Sequence, residues 1–485
     1  MFDKLKELSK DTAIYGISTM IGRFLNFILV PFYTNIFSPD DYGIVIIIYS
    51  YLAILNIIFI YGLDSAFLKY AAFKDIGDDK DNFSTPYISV LVTSLIFSSI
   101  IILLGNNITS WIEIPSGYVN LIYFSSAIVF VDSIAVLPFL KLRLEREAKK
   151  FAAIKILNIV ANIILNVVLI VILKWGIVAI FISNLIASVL SLAMVSPTIV
   201  KYFKISFHLM LFKRLIRFGL PYLPAGLAIM LVQVIDVPIL KKLTDLSTVG
   251  VYKANYKLGI FMMLFVNMFH YAWQPFFLQN AKEKNAKQMF SKVMTYFTLT
   301  GTTLLVILTL FIDDIVKINF WGFSILGYEY WSGLNIVPII LLGYLFNGFY
   351  VIFSAGIYIE EKTIYAPIVA GAGAVANIVS NLLLIPYFNI LGAAFATLIS
   401  YAVMALGYYI VTQKYYRIEY EYTRLFKMFL LTCFIGLSYY FLRNTGELNL
   451  LVKIAMLIVY TSILLRFITD QKELKTLKEK LINRK

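Results

Sequence analysis

The 485-residue chain is 60% hydrophobic and only 14% charged, with a formal net charge of +14 and a mean hydropathy of +0.82. That charge fraction is roughly half the ordinary value for soluble domains, which excludes a water-soluble fold and places the function inside or across a lipid bilayer. The single cysteine, Cys433, excludes a disulfide framework or a thiolate metal cluster and reads as a packing residue.

A span needs about 20 apolar residues, so at roughly 30 to 35 residues per span and loop this length predicts about fourteen transmembrane helices. The apolar runs in chain order cover residues 12–37, 42–63, 84–106, 118–141, 151–173, 176–197, 213–240, 247–270, 290–312, 332–355, 363–385, 389–411, 425–442 and 449–468. Their continuous apolar character, as over residues 43–60, is unlike the alternating ten-residue strands of a β-barrel, so the fold class is an all-α polytopic membrane protein. The first run follows Lys4, Lys6 and Lys10 but is too long for a signal-peptide core and is kept as a helix.

Basic residues sort to one side. The N-terminal segment, residues 141–150, 201–217, 282–292 and 414–427, and the tail after residue 470 carry most of the Lys and Arg, whereas residues 106–117 and 386–389 carry none. By the positive-inside rule both termini are cytoplasmic, in a plasma or inner membrane, and the net charge has this topological cause rather than a nucleic-acid partner. The outer loops are short, which leaves no room for a soluble catalytic domain; neither a cofactor nor a metal is expected.

Punctuation recurs along the chain. Pro31 and Gly43 are answered by Pro238 and Gly250 at an offset of 207, with Ile46 set against Lys253; Asn162 and Asn166 are answered by Asn377 and Asn381 at an offset of 215. A repeat of six spans enters twice from the same side, the parallel kind related by an axis along the membrane normal. The expected organisation is a six-helix lobe over residues 1–205, a second over 206–412, and a helix pair with a basic tail over 413–485. Two facing lobes enclose a central cavity suited to alternating access.

Charges at membrane depth cost at least about 2.5 kcal/mol each and are functional candidates by default. Arg23 falls near the middle of the first span. Lys253 and Lys257 are four apart, on one face of the eighth. The three are expected to line one cavity and to bind substrate. Asp236 and Asp132 are the carboxylates placed to pair with these cations, either as structural ion pairs or as a gating, ion-coupling element. Asn158, Asn162 and Asn166, with Asn377 and Asn381, form polar stripes that read as interhelical hydrogen bonding or, alternatively, as sugar-facing surface. His270, Tyr271, Trp273 and Gln274 read as an interfacial aromatic belt, Asp64 as a capping or interfacial residue, and Gly371 and Gly373 as close helix packing.

The opening Arg23-Phe24-Leu25 and Pro31, then Ser38-Pro39-Asp40-Asp41-Tyr42-Gly43 with the counterpart Gly250-Val251-Tyr252, resembles the polysaccharide and O-antigen flippases of the multidrug/oligosaccharidyl-lipid/polysaccharide exporter superfamily. The resemblance covers roughly residues 1–412. It implies a V-shaped pair of lobes that moves undecaprenyl-pyrophosphate-linked oligosaccharide between leaflets, with membrane lipids, a polysaccharide polymerase and glycosyltransferases as partners. Related lipid II flippases carry an arginine where Arg23 stands and basic residues where Lys253 and Lys257 stand. This chain lacks their dense arginine cluster in helices 1 and 2, which favours a polysaccharide flippase. The alternatives are a cation-coupled multidrug exporter of the same superfamily and, from another class, a membrane-embedded polysaccharide polymerase or ligase. No nucleophile, acid–base set or Walker motif supports an enzyme.

Overall fold

The computed structural model describes residues 22, 25, 27–73, 77–320 and 322–468. In chain order the helices are α1 (Phe27–Ile36), α2 (Pro39–Ile60), α3 (Leu63–Phe73), α4 (Asp79–Leu103), α5 (Gly105–Trp111), α6 (Val119–Leu144), α7 (Ala148–Val167), α8 (Val178–Tyr202), α9 (Leu209–Gly219), α10 (Tyr222–Val234), α11 (Asp236–Leu243), α12 (Leu246–Tyr256), α13 (Ile260–Asn280) and α14 (Ala286–Val316). A small antiparallel hairpin, β1 (Asn319–Phe320) and β2 (Phe323–Ser324), precedes α15 (Val337–Ile359), α16 (Tyr365–Phe388), α17 (Ile390–Tyr415), α18 (Tyr422–Thr445) and α19 (Leu450–Ile468). The protein is all-α and multi-pass: among the described residues ten helices are long and apolar enough to cross a membrane, eleven if one bent pair counts as a span, and α1 and the apolar part of α19 are shorter.

Several of the apolar runs are not single helices, and two are broken well inside the run. The seventh is broken first at Pro221, where α9 and α10 meet at 42°, and again before Asp236. A proline lacks an N–H and its ring clashes with the carbonyl four residues back, so Pro221 acts on the last turns of α9 and Pro238 on Val234, the last residue of α10. The eighth run stops at Tyr256, passes through a 3-10 turn at Lys257–Gly259 and resumes as α13. A Cβ at Gly259 would lie 2.7 Å from Ile340 and 2.9 Å from Tyr344, so glycine is what lets this turn press on α15.

The chain forms two compact units. One runs to Lys257 and takes in Leu326–Ser332 and Gly373–Ala396; the other comprises Leu258–Ile325, Gly333–Ala372 and Thr397–Lys485. Within a bilayer, lipid is as apolar as leucine, so helices associate through close packing and hydrogen bonds rather than by hiding from water. The first unit shows this where α3, α4, α6 and α9 meet around Leu63, Phe67, Phe83, Leu137, Leu211 and Leu215. A Cβ at Gly62, whose φ is +78°, would stand 2.0 Å from the Gly219 carbonyl oxygen.

In the second unit a Cβ on Gly348 of α15 would lie 2.2 Å from Phe297 of α14. Trp273 is buried there among Phe269, Phe277 and Phe290, so it belongs to the core and not to an interfacial belt. Helices α18 and α19 are tied to the end of α14 by Arg443–Asp313 at 3.3 Å and by Lys453–Asp314. Two further expectations are corrected. Cys433 is exposed on α18 rather than packed, and a Cβ on Gly371 would meet open space, so close packing does not explain that glycine.

Candidate functional site

The first unit contains a helix crossing with internal two-fold character. Both α2 and α12 begin with a side-chain cap: Ser38 accepts from the Asp41 N–H at 3.2 Å, and Asp245 accepts from the Thr248 N–H at 2.7 Å. Such caps satisfy an orphan donor and are worth about 1 kcal/mol each. Five residues into each cap-to-helix segment comes a glycine, and each glycine faces the other helix's opening carbonyl. A Cβ at Gly43 would sit 2.0 Å from the Leu246 oxygen, and one at Gly250 would sit 2.1 Å from the Pro39 oxygen. No other residue type permits this approach without moving the backbones apart.

Against this crossing lies a charged cluster. Asp236, at the first position of α11, is 2% exposed and Lys253 of α12 is 9% exposed. The Lys253 ammonium donates to both Asp236 carboxylate oxygens, at 3.3 and 3.1 Å, and to the Gln233 carbonyl at 3.4 Å, while the Tyr252 hydroxyl donates to Asp236 at 2.7 Å. The Tyr256 ring lies 4.2 Å from the same ammonium. A buried ion pair of this kind is tolerable only because its remaining hydrogen-bonding capacity is filled. Lys257, one turn on, does not join it: its ammonium donates to the Tyr42 hydroxyl at 2.9 Å and makes no ion pair among the described residues.

The repeat supplies an internal control for these charges. At the offset of 207, Asp236, Lys253 and Lys257 correspond to Leu29, Ile46 and Ser50. Leu29 and Ile46 are each 7% exposed, and the Ser50 hydroxyl folds back on the Ile46 carbonyl at 2.9 Å. One side of the crossing is therefore backed by two aliphatic residues and a serine bonded to its own helix, the other by a carboxylate and two ammoniums.

Two loops clasp the crossing. Glu113, after α5, receives Lys242 at 2.8 Å and Lys241 at 3.4 Å from the end of α11. The two ammoniums, Lys242 foremost, hold the Glu113 carboxyl below its usual range. The second loop has neutral partners: the Gly327 N–H donates to Thr34 at 3.1 Å and the Tyr330 hydroxyl to the Phe37 carbonyl at 2.8 Å on the first half, and Asn255 of α12 donates to the Tyr330 carbonyl at 2.8 Å. Gly327 is again obligatory, since a Cβ there would fall 1.9 Å from the Thr34 oxygen.

The remaining candidates lie elsewhere. Arg23 is outside the described residues. Asp132 on α6 is not with the other cations: it faces the charge of Lys155 on α7, whose ammonium lies 4.2 Å over the Phe139 ring. Sequence reasoning passed over Lys155, although a lone lysine four residues into the fifth run was the available signal. Asn158 bonds between helices, donating to the Ala187 carbonyl at 2.7 Å and the Ser191 hydroxyl at 2.8 Å on α8, whereas the other asparagines pair within their own helices. Asn166 donates to the Asn162 carbonyl and side chain at 2.8 and 2.9 Å, and Asn381 donates to Asn377 at 2.9 and 2.8 Å, the same geometry 215 residues later. Asn166, Asn377 and Asn381 are fully buried in helix packing. The Tyr33 hydroxyl donates to Asn166 at 2.8 Å; its counterpart position is Leu240, and the Asn381 oxygen has no partner among the described residues.

Residues 8–281 match the family model described as "polysaccharide biosynthesis protein". Among solved structures, the chain is similar to the lipid II flippase MurJ in an inward closed conformation, with a TM-score of 0.75 and 16% identity over 94% of this chain and 99% of that one. It is also similar to a multidrug resistance MATE family transporter of the MOP superfamily in its inward-facing conformation, with a TM-score of 0.65 and 13% identity over 83% and 97% of the two chains. An outward-facing conformation of a MATE family transporter of that superfamily gives a TM-score of 0.58 and 15% identity over 84% and 95%. No curated protein matches the sequence. At these identities the structural likeness establishes a shared fold.

Proposed function

The chain belongs to the polysaccharide biosynthesis protein family, and from that membership we propose that it flips an undecaprenyl-pyrophosphate-linked oligosaccharide from the inner to the outer leaflet by alternating access. The observation that carries the reading is Lys257. It is an ammonium within an apolar run whose described polar partner is a neutral tyrosine hydroxyl, so its charge stays available to an anion. A pyrophosphate carries the charge and the acceptor oxygens to take it, with Arg23 as the second donor and a guanidinium fork suited to phosphate oxygens.

Asp236 and Lys253 act as the gating pair in this scheme. Their ion pair holds the start of α11 to α12 beside the Gly43–Gly250 crossing, and substrate charge competes for the lysine. The crossing and its two clasps close the outward end, with both termini cytoplasmic, and must part for release. Glycosyltransferases supply the cargo and a polymerase consumes it. A cation exporter would need a carboxylate left open to a positive drug, whereas Asp236 is already occupied by Lys253 and Tyr252.

The test is delivery of lipid-linked glycan to the outer leaflet in cells lacking any other flippase. Lys257→Ala and Arg23→Ala should abolish delivery with protein level and insertion intact, and lysine at position 23 should rescue only in part. Undiminished delivery by both alanine variants would reject the flippase mechanism.

A further inference from the structure

We propose that the outward face of α9 is a binding site for anionic phospholipid headgroups. This helix opens the second half of the chain and is sharply two-sided. Leu211, Leu215 and Gly219, four apart, are buried against α3 and α4, and the mutual approach of Gly62 and Gly219 fixes the end of the helix in place. Lys213, Arg214 and Arg217 project from the opposite face, exposed, and none makes an ion pair among the described residues. A helical turn of 3.6 residues groups these three within a narrow stripe.

The neighbouring basic residue shows that this is not a uniform property of the linker. Lys204 is neutralised by Asp81 at 2.8 Å and Asp78 at 3.1 Å, which pins the linker to the start of α4. What remains cationic is rimmed by exposed apolar side chains: Leu209, Met210 and Leu220 on the helix, and Phe207 and Ile205 before it, the last 96% exposed. Lys69 adds a further cation at the flank, its ammonium 4.0 Å over the Phe218 ring. A free phosphate or a nucleic acid gives no reason for that apolar rim. A leaflet does, since its phosphates meet the cations while the rim enters the headgroup–acyl boundary. The proposal is independent of the cargo.

The full-length protein in nanodiscs, titrated with phosphatidylglycerol or phosphatidylcholine and read by native mass spectrometry, tests this. Wild type should retain phosphatidylglycerol preferentially, and the triple variant Lys213→Gln, Arg214→Gln, Arg217→Gln should weaken that retention by roughly a hundredfold, at one charge–headgroup contact per residue. The charge-keeping variant Arg214→Lys, Arg217→Lys should bind as wild type. A charge-matched control, Lys282→Gln, Lys284→Gln, Lys287→Gln, should lose little. Equal retention by the first triple variant, an equal loss in the control, or displacement of the lipid by millimolar inorganic phosphate would each overturn the proposal.

Discussion

The two halves of the α2–α12 crossing share a side-chain cap and a contact glycine and differ in what they bury behind them. In the first, Leu29 and Ile46 pack where the second has Asp236 and Lys253; one clasp is neutral and buried at Tyr330, the other ionic and exposed at Glu113. The Gly43 side approaches its opposing carbonyl as closely as the Gly250 side does, 2.0 against 2.1 Å, although only the second side has the ion pair behind it, so the close approach itself is set by the glycines. The ion pair's retention at a cost of several kcal/mol of desolvation points to a task.

Breaking the glycine contact should have the largest effect. Gly43→Val and Gly250→Val each push a side chain into a carbonyl, and each should cost about 3 kcal/mol or more by overpacking. Thermal unfolding in detergent measures this, with Gly117→Ala and Gly436→Ala, where a Cβ meets open space, as unchanged controls. Next comes the ion pair broken singly. Asp236→Asn leaves the Lys253 ammonium buried without its counter-charge and should destabilise by about 3 kcal/mol.

The asparagine pairs sharpen the comparison at smaller scale. Asn166→Leu strands the Tyr33 hydroxyl and should cost about 1 to 2 kcal/mol more than Asn381→Leu, whose oxygen has no described partner to strand. The clasps should differ least in stability but clearly in pH response. The folded-state pKa of Glu113 is depressed, so its contribution is complete above the ordinary carboxylate value and is lost as pH falls through the lowered one. With Cys433 replaced, spin labels at Asn107 and Leu243 should therefore separate on acidification below the usual carboxylate range and at high salt. A pair at Asn35 and Tyr328, across the neutral clasp, should not.

Much of this was legible in residue order. Among the described residues the apolar runs are met in turn by helices, ten or eleven of them long and apolar enough to span, and the glycines at 43 and 250 that marked the repeat prove to be the reciprocal contact points. Hydropathy registers length and mean polarity, which is why it missed the breaks at Pro221 and Lys257 inside runs whose average stays apolar despite a few charges. The site was less legible because its pairings join distant segments. Spacing put Lys253 and Lys257 on one face, but only the fold shows that Asp236 takes the first and Tyr42 the second, and that Lys155, not either of these, faces Asp132. Trp273 was misread for a similar reason: an aromatic near a helix end looks interfacial until the rings that surround it are known.

The central claim is that the second copy's charges serve transport and not folding. The double variant Asp236→Leu, Lys253→Ile, made together with Tyr252→Phe so that the hydroxyl now donating to Asp236 is not stranded, gives the second half the first half's residues in place of the charged pair. Measured side by side for thermal unfolding and for outer-leaflet delivery of lipid-linked glycan, it should unfold within a few degrees of wild type, as replaced buried ion pairs commonly do, and deliver essentially no glycan. Wild-type delivery by this variant, stably folded, would contradict the account.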